Sequence, residues 1–553
     1  MTQNRVEDGT LYGAYYDPLD TSLYAGKAFA EHLLDQVEKY VAESGDVPWL
    51  ANGAKKVLGA SKVFGEESHS QKEVVPRSKQ MARILHHKFG VSKGDVVYFL
   101  IPSSIEMYFP VIGTWLLQGV VSPADPSLSA ETVSQQLQQI GAKVIFCCKS
   151  TKNKVSEALE LLGMDIPVVV MDENNDDEKE ISLKFLRRSE LADPYPDYPP
   201  IVQVDENEKM LICWSSGTTG KPKGILHGSK MFTKLLYDSR DKLRYGAYKT
   251  LQTTCCFHLG GFSSPLNSLI QGYEMIIIAN EDLDDDIGLV TKVAAHYQVS
   301  TLLCGSHHLI QLAATKLQEG QEPVTSLGFI CPLGTNVYDG IEEDLKDKFP
   351  SFTSVLNVYG QSEGGAGVSV SMTQKHLGTI MCPAVRVVNP DTGVPVGPGE
   401  VGEILYKTDC TMIGYINHEE ENQRFFGQDG FCHSGDLGHY DQDTFLYFDG
   451  RLKELIKYKN YHLYPNEIEA LIMQHPGVKD AAVFGRPEPS VQELVTALVV
   501  RNNSLDISED EVKKMVDEKV DDHKKLRGGV YFVENIPRNP QGKILRKNLL
   551  KFV

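Results

Sequence analysis

Residues 214–224 gather the residue types that bind phosphate into one short segment. The segment reads Trp-Ser-Ser-Gly-Thr-Thr-Gly-Lys-Pro-Lys-Gly and follows the apolar run 210–213. Glycines let backbone N–H groups approach an anion, while hydroxyl and ammonium groups add donors and positive charge. The sequence therefore predicts a strand that ends in a phosphate-binding loop. Its candidate ligand residues are Ser215, Ser216, Gly217, Thr218, Thr219, Gly220 and Lys223.

This loop differs from the Walker A loop of P-loop nucleotidases. A Walker A loop needs a glycine before its lysine and a Ser or Thr after it. Counted from Gly217, the corresponding positions hold Pro222 and Gly224 around Lys223. The usual P-loop interpretation is excluded, and a glycine-rich surface turn remains the plain alternative.

Three more motifs follow in chain order. They are Val-Tyr-Gly-Gln-Ser-Glu-Gly-Gly at 358–365, Cys-His-Ser-Gly-Asp-Leu-Gly at 432–438 with Asp-Gly-Arg-Leu-Lys at 449–453, and Pro-Arg-Asn-Pro-Gln-Gly-Lys-Ile-Leu-Arg at 537–546. Together with the loop they resemble the adenylate-forming enzymes, a superfamily of acyl-CoA synthetases, beetle-type luciferases and peptide-synthetase adenylation domains. The resemblance runs from about residue 80 to the end, and Ser362 stands where the family usually has Thr.

The resemblance implies a reaction between ATP and a small carboxylic acid. The carboxylate attacks the α-phosphorus, pyrophosphate leaves and an acyl-adenylate forms. Because the carboxylate is already a nucleophile, such a protein mainly aligns the reactants and neutralises charge. Mg²⁺ is the implied metal cofactor, and Glu363 is the carboxylate that suits it.

The resemblance also assigns roles to single residues. Asp436 would accept hydrogen bonds from the ribose hydroxyls, with Arg451 donating nearby, and Tyr359 would stack on adenine. Taken singly, each has a plain structural explanation, such as a capped turn or a core tyrosine. The remaining nucleotide-binding candidates are Gly334, Thr335 and Gly360, and the catalytic candidates are Lys543, His258, Lys457, Ser362 and Glu363.

The segment His-Leu-Gly-Gly-Phe at 258–262 corresponds to the family motif that lines the acyl pocket. His258 would orient the substrate carboxylate, although a lone histidine is more often structural. No acidic residue lies at 250–272 to pair with a substrate ammonium, which favours a fatty or aryl acid over an amino acid. The pocket candidates are His258, Gly261, Phe262, Gly364 and Gly365, the last two being expected to leave space for a bulky acyl group.

The second half-reaction separates three hypotheses. In an acyl-CoA synthetase the C-terminal domain turns, presents Lys457, and the CoA thiolate displaces AMP. In a luciferase the adenylate of a luciferin reacts with O₂ instead. A catalytically silent adenylate-binding paralogue is the third hypothesis. Asn460 stands where the family usually has Gly, and Asn is the next-best residue for a left-handed turn. We take the CoA ligase as the main hypothesis.

Short β-rich runs alternate with helical patterns through most of the chain and predict an α/β fold with parallel sheets covered on both faces. Beyond residue 402 the pattern becomes β-rich and glycine-punctuated, which predicts a small β-barrel-like subdomain. The apolar stretch 108–121 is interpreted as one buried helix. We expect an N-terminal adenylation core at 1–449, a hinge at 450–453 that contains Lys453, and a mobile α+β C-terminal domain at 454–553.

Composition limits the partners. The 553 residues exceed one ordinary domain, and the net charge of −19 argues against nucleic acid as a partner. The ten scattered cysteines, without Cys-x-x-Cys, indicate reduced thiols. We find no signal peptide, no apolar run long enough to span a membrane and no Ser-Lys-Leu-type ending, so a cytoplasmic location is expected over a peroxisomal one.

Overall fold

The architecture comes from a computed structural model that describes most of the chain. The residues described are 5–13, 27–59, 61–62, 66–171, 181–182, 196–216, 222–240, 248–284, 286–317, 320–334, 337, 340–365, 367–459, 461–502, 505, 507–538 and 544–553. No helix of these ranges combines the length and apolarity needed to cross a membrane.

The first large sheet has eight strands and carries the hairpin of the predicted phosphate loop. Seven strands run in one direction, and only the hairpin partner Pro222–Gly228 runs in the opposite direction, so both of its pairings are antiparallel. In spatial order the strands are Gly414–Tyr415, Pro222–Gly228, Lys209–Ser216, Val120–Pro123, Val96–Leu100, Ala142–Cys147, Val168–Val170 and Ile181–Ser182. Val96–Leu100 is buried along its whole length, as a parallel strand covered on both faces should be.

The second large sheet has seven strands, of which all but one edge strand are parallel. The spatial order is Ser354–Val355, Phe329–Leu333, Thr301–Gly305, Lys249–Gln252, Glu274–Ile277, Pro48–Asn52 and Ser68–Ser70. Its strand Lys249–Gln252 leads into the 253–258 loop that carries the predicted pocket histidine.

Two antiparallel sheets carry the middle motifs. A three-stranded sheet contains Asn357–Gly360, Gly367–Ser371 and Thr379–Ile380. A six-stranded sheet runs in the order Arg5–Glu7, Thr10–Tyr12, Ala384–Val388, Gly402–Lys407, Cys432–Tyr440 and Leu446–Arg451. The second is the region that we expected to be barrel-like, and its strands pair in an open order. The N-terminal hairpin adds two strands to it, which the glycine pattern beyond residue 402 did not indicate.

The last hundred residues form a fifth sheet with hydrophobic cores of their own. The strands are Tyr461–Leu463, Ile456–Tyr458, Gln492–Arg501 and Val478–Glu488, with Val530–Phe532 parallel to Gln492–Arg501. Two clusters of buried residues draw their members only from residues 456–530 and 482–549. This region therefore has the packing of a small α+β unit.

Fifteen α-helices lie in the described residues. They are Phe29–Ser44, Gly53–Leu58, Val74–Phe89, Tyr108–Leu116, Ala130–Ile140, Lys149–Leu162, Ser229–Arg240, Leu259–Gln271, Asn280–Leu283, Leu289–Tyr297, Ser306–Ala314, Ile341–Leu345, Glu419–Phe425, Pro465–Ile472 and Glu509–Asp517. Local sequence marks several ends: Pro465 opens its helix at the first position, where no N–H is needed, and Gly141 ends Ala130–Ile140 in a left-handed conformation.

Two expectations about these elements have clear outcomes. The α/β fold with parallel sheets, a large N-terminal part and a smaller α+β C-terminal part is confirmed. The single buried helix over 108–121 is wrong, because the helix ends at Leu116 and Val120–Pro123 is a strand. Gln118, in a left-handed conformation at φ 55°, and Gly119 make the turn between them. Uniform apolarity hid this change of element, since a buried helix and a buried parallel strand have the same composition.

Candidate active site

The predicted phosphate loop is the connection of an antiparallel hairpin. Ser215 pairs with Lys223 and Ser216 with Pro222 across the strands that lead into and out of it. Gly217, Thr218, Thr219 and Gly220 lie outside the described residues, so their phosphate-binding role stays a prediction. The described strands Lys209–Ser216 and Pro222–Gly228 flank this segment and belong to the eight-stranded sheet.

Lys223 is a described residue of the predicted loop motif, and it is buried. Its Nζ donates to Oε1 of Glu421, on the helix Glu419–Phe425, over 2.7 Å. The same ammonium lies 5.6 Å from the centre of the Tyr415 ring. Tyr415 sits on the strand next to that of Lys223, which fixes this arrangement.

Tyr415 connects the lysine to Glu363. Its hydroxyl donates to Oε1 of Glu363 over 2.8 Å, and the Met412 N–H donates to the Glu363 carbonyl over 2.9 Å. Burial, together with the charge and hydrogen bond of Glu363, raises the pKa of Tyr415 far above its usual range. Among the described residues, no group of three or more His, Cys, Asp or Glu is arranged to hold a metal ion.

Ser362 opens a short 3₁₀ turn, Ser362–Gly364, and its backbone lies close to His227 on the strand of Lys223. Burial lowers the pKa of His227 to about 4, so this histidine is neutral at pH 7. The contact joins the second motif to the loop hairpin.

Asp436 is the centre of a second, drier cluster. Its residue is 1% exposed, and its Oδ2 accepts from the Tyr359 hydroxyl over 2.9 Å and from Gln361 Nε2 over 2.7 Å. Its Oδ1 lies 3.1 Å from Nε of Arg451, the residue that faces it on the neighbouring strand. Tyr406 extends the network by donating to Gln361 Oε1 over 3.3 Å.

The charges in this cluster perturb its neighbours. Burial and the charge of Asp436 raise the pKa of Tyr359 well above its usual range, which keeps its hydroxyl protonated as a donor. For Arg451, burial opposes the charged form, but the carboxylates of Asp436 and Glu454 outweigh it and raise the pKa. A carboxylate has about four acceptor sites, so Asp436 retains capacity for further donors.

Glu403 holds the turn that presents Asp436. Its Oε1 accepts from the Gly435 N–H and its Oε2 lies by His433 Nδ1, both over 3.0 Å. Gly435 has a left-handed conformation, at φ 67°. The Ser434 hydroxyl accepts from the Asp436 N–H over 2.9 Å. The Ser-Gly-Asp turn is therefore fixed on both sides.

His258 lies at the start of the helix Leu259–Gln271. Burial lowers its pKa to about 4, so the imidazole is neutral at pH 7. Gln252, at the end of the preceding strand, donates from Nε2 to the carbonyls of Thr254 and Gly261, both over 3.0 Å. This amide ties the loop before His258 to the first turn of the helix.

The pocket candidates near this helix require a correction. Phe262 is fully buried and packs against Trp115, Phe232 and Tyr108, so its ring belongs to the core. A Cβ on Gly261 would lie 2.2 Å from the carbonyl of Cys255, so this glycine is required by close packing. We therefore revise the expectation that Phe262 lines an open pocket.

Gly364 and Gly365 also do not leave open space. A Cβ on Gly364 would lie 3.1 Å from the Tyr406 ring, and one on Gly365 would lie 2.0 Å from the Cys410 carbonyl. Gly365 also has a left-handed conformation at φ 71°. The glycines are explained by neighbours already in contact, so the expectation of spare volume at these positions is wrong.

Gly334 and Gly360 occupy the ends of strands. Gly334 follows Phe329–Leu333 at φ 113°, a conformation that favours glycine, and Gly360 lies at a bulge in the three-stranded sheet. Thr335, its predicted neighbour in the adenine wall, lies outside the described residues.

The C-terminal motif is anchored on both sides of a segment that lies outside the described residues. Lys543 is in that segment, so its position stays a prediction. On one side, Arg538 makes two hydrogen bonds to Asp480, over 2.8 and 2.9 Å. On the other, Arg546 binds Glu454 and Glu469 over 2.8 and 2.6 Å.

His307 lies at the start of the helix Ser306–Ala314. Burial, with the positive charge of Arg538 second, lowers the pKa of His307.

Lys453 and Lys457 lie where the chain passes into the C-terminal region. Lys453 is exposed in a 3₁₀ turn that directly follows Arg451. Lys457 is exposed on Ile456–Tyr458, and its N–H donates to Glu493 over 2.6 Å. The strand pairs with Tyr461–Leu463 through a two-residue turn in which Lys459 is left-handed, at φ 54°. Asn460, the other turn residue, is not among the described residues.

Sequence reasoning missed four residues that organise these clusters. Gln361, Glu403, Tyr415 and Glu421 bind predicted site residues, yet none carries a recognised role of its own. Gln361 lies inside the motif at 358–365, so its position in the sequence was a usable signal. Glu421 lies 198 residues from Lys223 and gives no local signal.

The chain is thus an α/β protein with two polar clusters, one around the buried carboxylate of Asp436 and one around Lys223. Comparison with models of protein families shows which family has this organisation. The model of the AMP-binding enzyme family matches residues 51–416, and that of the AMP-binding enzyme C-terminal domain matches residues 467–543. The chain belongs to the AMP-binding enzyme family.

Individual relatives are similar over most of their length. A 4-coumarate–CoA ligase 3 of Oryza sativa subsp. japonica is 30% identical, over 87% of each chain. A peroxisomal OPC-8:0-CoA ligase 1 of Arabidopsis thaliana is 29% identical, over 84% of this chain and 85% of its own. The crystal structure of ATP-bound MatB from Rhodopseudomonas palustris superposes with a TM-score of 0.76 at 22% identity, covering 90% of this chain and 98% of its own, which supports the fold.

Proposed function

We propose that this protein is an acid–thiol ligase that activates an aryl or fatty carboxylic acid with ATP and transfers the acyl group to CoA. Membership of the AMP-binding family and the similarity to named CoA ligases support both co-substrates. The observation that carries the proposal is the Asp436 cluster. It holds a buried carboxylate in place with Tyr359, Gln361 and Arg451, next to the chain segment that leads into the C-terminal region.

Asp436 and Arg451 are proposed to bind the ribose. A carboxylate held by fixed donors keeps its remaining acceptor sites in one orientation, and Arg451, whose side chain is 41% exposed, faces the open side. Tyr359 donates to Asp436, a positioning role that the sequence did not indicate. We retain adenine stacking for its ring, with Gly334, Thr335 and Gly360 nearby, as a prediction.

The loop residues 215–220 and Lys223 are proposed to bind the β- and γ-phosphates. Lys223 is buried at the foot of the loop, where its charge is poorly screened by water. Glu363 suits Mg²⁺, since Mg²⁺ takes one or two carboxylates and completes its coordination with phosphates and water. When bound, the ion would neutralise phosphate charge. Ser362 positions this turn through its backbone contact with His227.

Three further residues are proposed to act on the acyl group. His258, neutral because it is buried, can donate one N–H to the substrate carboxylate without introducing a charge. Lys543 is proposed to reach the α-phosphate and the attacking carboxylate, and Lys457 to serve the thiol-transfer step. Gly261 supports this region by allowing the close approach of Cys255 to the helix start.

We propose the domain division 1–449, 450–453 and 454–553, with Lys453 as the hinge. The separate hydrophobic clusters beyond residue 456 support it, as does the 3₁₀ turn at Leu452–Glu454. The cytoplasmic location stays a prediction. CoA is favoured over O₂ as the second reactant because the relatives described above are named CoA ligases.

One assay panel tests this function. Purified protein is incubated with MgATP and a series of aryl and fatty acids, and pyrophosphate is measured with and without CoA. We expect acid-dependent pyrophosphate release, and acyl-CoA detected by mass when CoA is present. Pyrophosphate without a thioester would overturn the CoA step, and no pyrophosphate with any acid would favour a silent paralogue.

Two lysine variants divide the reaction into its halves. Lys543→Ala should abolish adenylate formation while a supplied acyl-adenylate is still converted to acyl-CoA. Lys457→Ala should show the opposite pattern. Equal loss of both steps in either variant would contradict the proposed division.

A further inference from the structure

The ion pair between Lys223 and Glu421 involves the lysine that is proposed to bind phosphate. The Lys223 side chain is 9% exposed, and its Nζ lies 2.7 Å from Oε1 of Glu421, whose side chain is 30% exposed. A bond this short between a buried ammonium and a carboxylate is a charge-assisted hydrogen bond. The hydrogen bond to Lys223 also lowers the pKa of Glu421, so the carboxylate is ionised at pH 7.

The surroundings of this pair are rich in negative charge. Glu363 accepts from Tyr415, whose ring faces the Lys223 ammonium, and His418 Nδ1 lies 3.6 Å from the other oxygen of Glu421. The two carboxylates of Glu363 and Glu421 and the one ammonium of Lys223 have a summed charge of −1. A polyphosphate that reaches Lys223 meets Glu421 on the same ammonium.

We propose that Glu421 is an exchangeable counter-ion, which occupies Lys223 when the phosphate site is empty and competes there with the β- and γ-phosphates of ATP and with pyrophosphate. The proposal rests on the phosphate-binding function proposed above for Lys223. Glu421 touches no reacting atom in this scheme and acts through Lys223.

The physical consequence is a lower net affinity for ligands that carry a polyphosphate. Without nucleotide, Glu421 compensates a buried positive charge that would otherwise be costly to hold. With nucleotide, the carboxylate must give up Lys223, and that loss reduces the net affinity. The same competition favours departure of pyrophosphate after the first half-reaction. AMP has no β- or γ-phosphate, so its affinity should be independent of Glu421.

The experiment measures three affinities by calorimetric titration of the full-length protein with MgATP, magnesium pyrophosphate and AMP. In Glu421→Gln, we expect MgATP and pyrophosphate to bind about three- to fivefold more tightly, the range of a partly exposed ion pair, with AMP unchanged. The ATP KM should fall by the same factor with kcat for adenylation unchanged. Glu421→Ala provides a second variant if the first is poorly folded.

The matched control is Glu420→Gln. Glu420 is the preceding residue of the same helix, its side chain is 82% exposed and it pairs with Arg424 instead. The Glu420→Gln variant removes the same negative charge from the neighbouring position of the helix and should leave all three affinities unchanged. An equal tightening in both variants would overturn the proposal in favour of general electrostatics, and weaker MgATP binding in Glu421→Gln would show that Glu421 aligns Lys223 for phosphate instead.

Lys223→Met separates this proposal from the one on which it rests. It should weaken MgATP and pyrophosphate binding, and the gain from Glu421→Gln should vanish in the double variant. If Lys223→Met leaves both affinities unchanged, the phosphate-binding role of Lys223 is wrong. If it weakens them while the Glu421→Gln gain persists in the double variant, only the exchange is wrong.

Discussion

The two polar clusters differ in how they are held. Around Asp436 the partners are two neutral donors and one arginine, and the carboxylate is almost fully buried. Around Lys223 the contacts join charged groups, and the side chain of Glu421 is partly exposed. Fixed donors in a dry site need no rearrangement to meet a ligand, whereas a charge already paired must exchange its partner. Under the roles that we propose, ribose is therefore recognised by a preformed site and phosphate by an exchange of partners at Lys223.

The largest test removes the charge of the preformed site. Asp436→Asn removes the charged ribose acceptor and leaves Arg451, whose side chain is 41% exposed, without its buried counter-charge, so we expect adenylation kcat/KM for ATP to fall about 100-fold, near 3 kcal/mol. Steady-state pyrophosphate release measures it. Asp391→Asn, in an exposed turn, is the control and should behave as wild type. A loss below threefold would show that Asp436 is a structural residue.

A smaller test removes one fixed donor. Tyr359→Phe deletes the hydroxyl that donates to Asp436 over 2.9 Å, a bond to a charged group worth about 1.5 kcal/mol, so ATP affinity should fall about tenfold. Calorimetric titration with AMP should show the same loss, because the ribose is common to both nucleotides. A loss of ATP affinity without a loss of AMP affinity would show that Tyr359 acts with the Lys223 cluster, and the separation of the two clusters would then be wrong.

At the Lys223 cluster, the contact between Tyr415 and the proposed Mg²⁺ ligand Glu363 provides the corresponding test. Tyr415→Phe removes the hydroxyl that orients Glu363, and we expect the Mg²⁺ concentration for half-maximal activity to rise about threefold to tenfold. AMP affinity should stay unchanged in this variant. A change in AMP affinity with an unchanged Mg²⁺ requirement would contradict the separation of the two clusters.

The smallest effect concerns pH and the histidine that joins the second motif to the hairpin. The pKa of His227 is about 4 when folded, against 6.5 as its ordinary value, so the unfolded chain binds the extra proton first. Its contribution to stability is complete above pH 6.5 and is lost as the pH falls towards 4, about 1.4 kcal/mol by pH 5.5. His258, with the same shift, adds a second such loss.

Denaturant unfolding at pH 7.5 and 5.5 measures this dependence. His227→Leu should lose part of the acid destabilisation, whereas the exposed His296→Gln should retain the wild-type difference. An unchanged pH dependence in His227→Leu would show that His227 is not held neutral by burial.

Local patterns in the sequence carried most of the fold. The short β-rich runs predicted buried parallel strands, of which Val96–Leu100 and Ala142–Cys147 are two in the structure, and the proline at 465 marks a helix start. The turn inside 108–121 escaped because apolarity alone does not separate helix from strand. The N-terminal hairpin escaped because its partner strand, Ala384–Val388, is more than 370 residues away.

The sequence predicted the site residues that belong to a recognisable motif. It did not predict the residues that only contacts in the folded chain bring to the site. The pattern Ser-Gly-Asp marked Asp436, but its donors Tyr359 and Gln361 come from the strand Asn357–Gly360 and the residue after it, some 75 residues earlier. Gly364 and Gly365 were interpreted as empty space, because a sequence does not show that Tyr406 and the Cys410 carbonyl already fill it. Phe262 was placed in the pocket by motif position, yet packing placed it in the core.

The most direct test of the account identifies the products of a single incubation. Wild-type protein and Asp436→Asn are each incubated with MgATP, CoA and 4-coumarate or a fatty acid, and nucleotides and thioesters are quantified by mass spectrometry. The account predicts AMP and acyl-CoA in equal amounts, formed only when an acid is present, and almost none with Asp436→Asn. ADP in place of AMP, or AMP formed without dependence on an acid, would contradict carboxylate activation by adenylation.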